Sequence, residues 1–120
     1  VVVSGSPFHR PKGQFPVDGK VLSEPSRKLD YEVEFACFVS HGNEFGSPIP
    51  IEDAEDHIFG FVLMNDWSAR DIQMYEAAMM GPFQGKNFCT TVSPWIVPFD
   101  ALEPFRTVPK APVRGFEPSI

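Results

Sequence analysis

The stretch Phe61 to Gln73, FVLMNDWSARDIQ, constrains this chain more than any other. It continues an apolar run, and Ile58–Met64 has the length and content of a buried strand. The run breaks at the turn pair Asn65-Asp66. Ser68 then opens a helix-like segment running to Ala78, with Asp71 three residues on in capping-box spacing. On such a helix Arg70, Gln73 and Ala77 share a polar face, while Ile72, Tyr75 and Met79 share an apolar one. The segment therefore predicts a strand that delivers a carboxylate, Asp66, to the start of a helix whose polar face turns toward it. A strand end that meets a helix N-terminus is a common place to build a site.

The clearest strand elsewhere is Asp30–Ser40, DYEVEFACFVS. One face carries Tyr31, Val33, Phe35, Cys37 and Val39, and the other Glu32, Glu34, Ala36 and Phe38. The second face begins acidic and ends apolar, which is not the pattern of an ordinary solvent face. Two carboxylates at i, i+2 in a partly covered place repel and lose hydration, and a bound cation relieves both costs. Glu32, Glu34 and Asp66 offer hard oxygen with no His or Cys in ligand-like spacing beside them, a donor set for Ca²⁺, Mg²⁺ or Mn²⁺ rather than zinc. The same residues also fit a solvated E-x-E strand and a helix-capping Asp, and spacing alone does not choose. Arg70, Gln73 and Lys86, with Thr90 close in sequence, form a second constellation. Converging cationic and amide donors near a metal can stabilise an oxyanion or enolate; a solvated helix face and a surface Lys have the same spacing.

Composition limits the alternatives. At 42% hydrophobic residues the chain can bury a core, and its net charge of −6 argues against nucleic acid and anionic membranes as partners. No run of apolar residues reaches membrane-spanning length. Cys37 and Cys89 form no metal or disulfide framework, so they read as free thiols of a cytoplasmic protein, Cys89 as a buried one. His9, His41 and His57 fall in loops or at a helix end and read as surface histidines.

Along the rest of the chain, Val1–Val3 and Lys20–Leu22 read as short strands and Ser4–Gly13 as a turn-rich loop. His41–Pro50 is a loop and Ile51–His57 a short acidic surface helix. Met79–Gly85 turns back through Gly81-Pro82. Lys86–Val92 is extended or irregular; if it is extended, Lys86, Phe88 and Thr90 point the same way. Pro94 and Pro98 bracket Trp95–Val97 as an edge strand. The chain opens on strand-like residues without Met and closes on a tail spaced by Pro104, Pro109, Pro112 and Pro118. Both ends are expected to be cut from a longer chain.

Four stretches carry a family likeness: VVVSGSP at the start, LDYEVE at 29–34, PIPIEDAEDHIFGFVLMNDWSARDIQ at 48–73, and GPFQGKNFCTTVSPWIVPFDAL at 81–102. Together they resemble the central part of the fumarylacetoacetase (fumarylacetoacetate hydrolase) family, and the run NDWSARDIQ followed by GPFxGK is the most specific. The resemblance covers about the whole chain, most weakly at 14–27 and after Leu102. It implies a mainly β fold, residues 1–120 forming part of a mixed, barrel-like β-roll catalytic domain with short helices.

It also implies a cytoplasmic homodimer that cleaves a carbon–carbon bond of a β-diketo acid with water, releasing fumarate and acetoacetate in tyrosine and phenylalanine catabolism. By the same resemblance Glu32, Glu34 and Asp66 match the family's carboxylate ligands for Ca²⁺ and/or Mg²⁺, and Lys86 and Thr90 border the cation sites. Arg70, Gln73 and Lys86 match side chains that stabilise developing negative charge, Gln73 and Lys86 also lying at the substrate. Ala77 stands where vertebrate-type enzymes carry a substrate-contacting Tyr. The family's water-activating His and a fourth acidic ligand precede the matched region, so the chain by itself is expected to lack hydrolase activity. The rival readings are an acylpyruvate hydrolase or related superfamily member, and a non-catalytic fragment that keeps only the cation site.

Overall fold

The computed structural model describes residues 1–108. Their architecture is mainly β with few short helices, as expected from sequence. The strands are β1 (Val2–Val3), β2 (Lys12–Val17), β3 (Lys20–Pro25), β4 (Leu29–Asp30), β5 (Val33–Val39), β6 (Ile58–Asp66), β7 (Ser68–Ala69), β8 (Thr90–Val92) and β9 (Val97–Pro98). Helix α1 spans Arg70–Ala77 and the short α2 spans Phe99–Leu102. The acidic segment Ile51–His57 is a 3₁₀ helix at the bounds read from sequence.

The nine-residue β6 is the axis of the main sheet. It pairs antiparallel with β5 on one side. On the other it pairs with β8 near its end and β9 near its start, and β1 extends the sheet parallel to β8. Among the described residues the sheet stays open and closes no barrel. Two ribbons flank it, β2–β3 and β4–β7.

The β2–β3 hairpin was not expected from sequence beyond Lys20–Leu22. Its turn is Asp18-Gly19, where both residues take positive φ (48° and 75°), the turn geometry that matches strand twist. The hairpin carries Phe15 against α1. Phe15, Ala69 and Ile72 form a small core with Val17 and Phe88 around it. Gly13 lets the ribbon approach: a Cβ there would stand 2.6 Å from Cγ2 of the buried Ile72.

Several sequence expectations need correction. β6 runs through the expected turn pair Asn65-Asp66 and buries only Gly60 and Val62, the edge strand is Val97–Pro98 rather than Trp95–Val97, and β2 begins at Lys12 inside the expected loop Ser4–Gly13. Asp30–Ser40 is not one strand, because the chain breaks at Tyr31–Glu32 and its first residues pair instead with β7. Ser68 does not cap a helix: it is fully buried in β7, and its hydroxyl donates to the Asp66 carbonyl. Met79 lies past the end of α1 and is 82% exposed, so the apolar helix face reduces to Ile72 with half-buried Tyr75. The apolar face of β5 also stays open, with Val33 71% and Phe35 65% exposed, and α2 with the turn after it only borders a groove at Phe35 and Phe61. Of the tail prolines, Pro104 lies in a 3₁₀ turn at Glu103–Phe105, while Pro109, Pro112 and Pro118 fall outside the described residues.

Asp71 performs a different task from capping. Its carboxylate accepts the Ser26 hydroxyl at 2.6 Å, the Arg27 N–H at 2.7 Å and the Ile72 N–H at 3.0 Å, tying α1 to the strand end after β3. Burial raises its pKa, but these donors outweigh burial and hold the carboxyl below its ordinary value. In Asp71→Asn one acceptor oxygen becomes a donor facing donors. The expected loss in the full-length protein is about 1.5–3 kcal/mol at neutral pH. Because the folded pKa is depressed, the wild-type advantage is complete above the unfolded carboxyl's pKa of about 3.9 and fades as pH falls through the folded value. Urea unfolding of both proteins between pH 7 and 3 should show the gap narrowing at the acid end, and a constant gap would contradict this account.

Candidate functional site

The β5–β6 register builds the site. Val33 stands opposite Asn65 and Glu34 opposite Met64. One step further, Glu32 lies just outside β5. Its carbonyl accepts the Asp66 N–H at 3.0 Å, and its own N–H donates to Asn65 Oδ1 at 3.1 Å. Directly opposed residues of an antiparallel pair share a face. Asp66 is opposite Thr90 across the β6–β8 pair, so Thr90 joins the same face. Glu32, Glu34 and Asp66 each bring a carboxylate oxygen to one place, all within 4.8 Å of one another. Three hard oxygens at that spacing suit an oxygen-seeking divalent cation.

Two cations reach the cluster from separate elements. Arg70, first residue of α1, donates from Nη1 to Glu32 Oε1 at 2.6 Å and to Gln73 Oε1 at 3.0 Å, and from Nε to Asp30 Oδ2 at 2.8 Å. Lys86 comes from the turn after Gly85. Its Nζ lies 2.5 Å from Glu32 Oε2 and 3.0 Å from Asp66 Oδ2. A backbone bond holds the two elements together, the Ala69 N–H donating to the Gly85 carbonyl at 2.9 Å, and a second, from the Arg70 N–H to the Lys28 carbonyl at 2.8 Å, ties the helix start to the segment before β4.

These contacts fix the charge states. Hydrogen bonds from Lys86 and then Arg70 hold the Glu32 carboxyl below its ordinary pKa. For Lys86 burial acts to lower the pKa, but the bonds to Glu32 and Asp66 outweigh it and the ammonium is held more firmly protonated than usual. Bonds to Asp30 and Glu32 raise Arg70, and Arg70 in turn lowers Asp30. Asp30 and Glu32 are thus held charged beside the Arg70 and Lys86 cations, with the Gln73 amide next to Arg70. Such a set can hold a cation and still present donors to an oxyanion.

All the residues singled out from sequence converge here: Glu32, Glu34, Asp66, Arg70, Gln73, Lys86 and, by register, Thr90. Lys86 arrives from an irregular segment rather than from an extended one. Ala77, on the same α1 stripe as Arg70 and Gln73, is exposed. His41 and His57 pair with each other, their rings 4.0 Å apart, and His9 is exposed. Cys89 is buried and Cys37 exposed, both free thiols. Sequence reasoning missed Asp30 and Asn65. Asp30 sits two residues before Glu32 and anchors Arg70, so the acidic alternation in fact starts one step earlier. Asn65 looked like a turn residue, but it binds the Glu32 backbone.

The family profile for the fumarylacetoacetate (FAA) hydrolase C-terminal domain matches residues 1–111. The chain belongs to the fumarylacetoacetate hydrolase family. It is 57% identical over 123 residues to a fumarylacetoacetase of Emericella nidulans, covering 98% of this chain and 27% of that protein. The rice (Oryza sativa subsp. japonica) fumarylacetoacetase is 57% identical over 120 residues, covering 98% of this chain and 28% of that protein. The human protein of that name is 60% identical over 107 residues, covering 88% of this chain and 26% of that protein. The chain therefore spans about a quarter of the length of the curated relatives it matches.

Within this family member the path of the Lys86 turn depends on Gly85. The residue is buried, and a Cβ there would stand 2.7 Å from the Gln73 backbone nitrogen and 2.8 Å from its Cα. The requirement is for space against helix backbone, which cannot swing aside. Gly85→Ala should lower stability by about 1–3 kcal/mol through overpacking. Denaturant titration of the full-length variant checks this, and an unchanged midpoint would mean that α1 and the turn are not in contact.

Proposed function

We propose that the protein hydrolyses the carbon–carbon bond of a β-diketo acid, converting fumarylacetoacetate to fumarate and acetoacetate, as in tyrosine and phenylalanine breakdown. The observation that carries this reading is the meeting of three carboxylates, two cations and an amide at one end of the β5–β6 pair. The fumarylacetoacetase name shared by the relatives supports the substrate class. On the same grounds of family the protein is proposed to act as a cytoplasmic homodimer.

In this reading Glu32, Glu34 and Asp66 hold Ca²⁺ and/or Mg²⁺, with Lys86 and Thr90 bordering the ion. When bound, the ion supplies positive charge for the diketone oxygens. The chain's own groups orient the substrate and stabilise charge. Water adds to one carbonyl carbon and the bond between it and the neighbouring carbon breaks. That carbon takes the electron pair as an enolate and is then protonated to acetoacetate. The Lys86 ammonium, kept charged by Glu32 and Asp66, donates to the oxygen on which negative charge grows. Gln73 orients the substrate through its amide, and Arg70 adds charge while holding Glu32 in place.

The direct test is turnover of fumarylacetoacetate by the full-length protein with Ca²⁺ or Mg²⁺ present, read as fumarate release; no turnover rejects the substrate. Cation binding is tested separately. Calorimetric titration with Ca²⁺ or Mg²⁺ should give heat in the wild type and none in Glu34→Gln or Asp66→Asn, and wild-type affinity in both would remove the ligand assignment.

Lys86→Met distinguishes a chemical role from a surface one. Loss of a donor that acts on the transition state lowers kcat by roughly 10²–10³-fold. A wild-type kcat in this variant would take Lys86 out of the chemistry. The thermal midpoint, measured on the same sample, shows whether the variant is still folded.

A further inference from the structure

Glu76 lies in the last turn of α1, where the helix carbonyls make a carboxylate unfavourable and no basic residue offsets it. Its partners give it a reason to be there. Oε2 accepts the Phe83 N–H at 2.7 Å and the Gly85 N–H at 3.0 Å, and Oε1 accepts the Gln84 N–H at 3.0 Å. Three successive backbone N–H groups around one anion form a nest. The turn then closes on itself, with the N–H groups of Lys86 and Asn87 both donating to the Phe83 carbonyl. At its other side the Gly85 carbonyl accepts the Ala69 N–H at the start of α1. The backbone leading into Lys86 is therefore gripped from both ends of one helix.

We infer that Glu76 is the positioning residue that aims Lys86 into the site, acting through the backbone of the 83–85 turn rather than by touching substrate. A lysine side chain is long and flexible, so the reach of its Nζ to both Glu32 and Asp66 depends on where its Cα is fixed. Arg70, at the opposite end of α1, is fixed by the same helix. Glu76 thereby sets the spacing between the two cations of the site. For its effect on turnover this inference rests on the function proposed above. For the placement of Lys86 it does not.

The experiment uses the full-length protein, with Glu76→Ala and Glu76→Gln made alone and in a Lys86→Met background. Turnover of fumarylacetoacetate is measured together with acylation of Lys86 by an N-hydroxysuccinimide ester, quantified on the Lys86 peptide. Misplacing the ammonium should lower kcat in Glu76→Ala by roughly 10²-fold with little change in KM. Glu76→Gln, which keeps one acceptor oxygen, should fall between the two. In the Lys86→Met background Glu76→Ala should lower kcat no further, since its path of action is already gone. Acylation of Lys86 should rise in both Glu76 variants as the ammonium leaves its two carboxylates. An equal loss of kcat in the Lys86→Met background would overturn the inference, as would wild-type kcat and wild-type acylation in the single variants. If the wild type itself shows no turnover, the functional reading fails and acylation decides: unchanged labelling of Lys86 then overturns the positioning role. If Glu76→Ala does not fold, Glu76→Gln carries the same comparisons.

Discussion

The pairing register of β5 on β6 is the constraint on which the site depends. Side chains alternate along a strand, so a slip of one residue would send Glu34 to the opposite face and bring Phe35 into its place. The apolar residues fix the register. Ala36 stands opposite Val62, which is buried on the site face, while on the other face the Phe35 and Phe61 rings stack 4.4 Å apart at 6°. These contacts lie along the strands, away from the chemistry. They decide where Glu32, Glu34 and Asp66 meet, and the one irregularity in the pairing, between Phe38 and Val39, falls at the far end where it leaves the acidic end undisturbed.

Bringing three carboxylates within 4.8 Å of one another is unfavourable unless positive charge comes with them. Glu32 is the centre of the answer, with one oxygen on Arg70 and the other on Lys86. Lys86 is the most enclosed of the charged partners, its side chain 19% exposed, so its pairing counts for more than that of a surface lysine. The outer bonds, Arg70 to Asp30 and Lys86 to Asp66, extend the alternation of charge so that no group in the chain of contacts faces only its own sign. A cation taken up by these carboxylates enters a site whose own positive charges are already arranged around the same oxygens.

Much of this was legible in the residues. The alternation from Glu32 and Glu34 announces an acidic face that turns apolar along β5, and the run Ile58–Met64 announces a strand that delivers Asp66; the strand is present, but it continues through the expected turn pair Asn65-Asp66. The hairpin at 12–25 was missed beyond Lys20–Leu22: its signal is Asp18-Gly19 between β-prone residues, but Pro16 and Pro25 argue locally against strands. Other features had no local sign. Ser68 and Asp71 have the spacing of a capping box, yet the partners of Asp71 are Ser26 and Arg27, some 45 positions away in sequence. Spacing cannot show that Ser68 would be claimed by a two-residue pairing with Asp30, nor that the tail of the apolar helix stripe, Met79, would fall beyond the helix end. The Lys86 turn likewise owes its path to contacts with α1, and nothing between 81 and 89 specifies it alone.

Helix α1 has eight residues, too few to be stable in isolation. It holds its place through contacts outside itself. Ile72 is buried against the β2–β3 hairpin, Asp71 binds the strand end after β3, Arg70 binds Asp30 of β4 and Glu32 just before β5, and Glu76 binds the turn before Lys86. Residues around the helix thus report to different elements, with Ile72 and Glu76 sharing one face at i, i+4. Two glycines, Gly13 and Gly85, permit the closest approaches, one to Ile72 and one to Gln73. The consequence is that the positions of Arg70, Gln73 and Lys86 are not independent. A change that shifts α1 moves all three together relative to the carboxylates on the sheet. The distance between the acidic set at the strand ends and the cationic set on α1 and its neighbouring turn is therefore held in part by two polar side chains outside the cluster, Asp71 and Glu76.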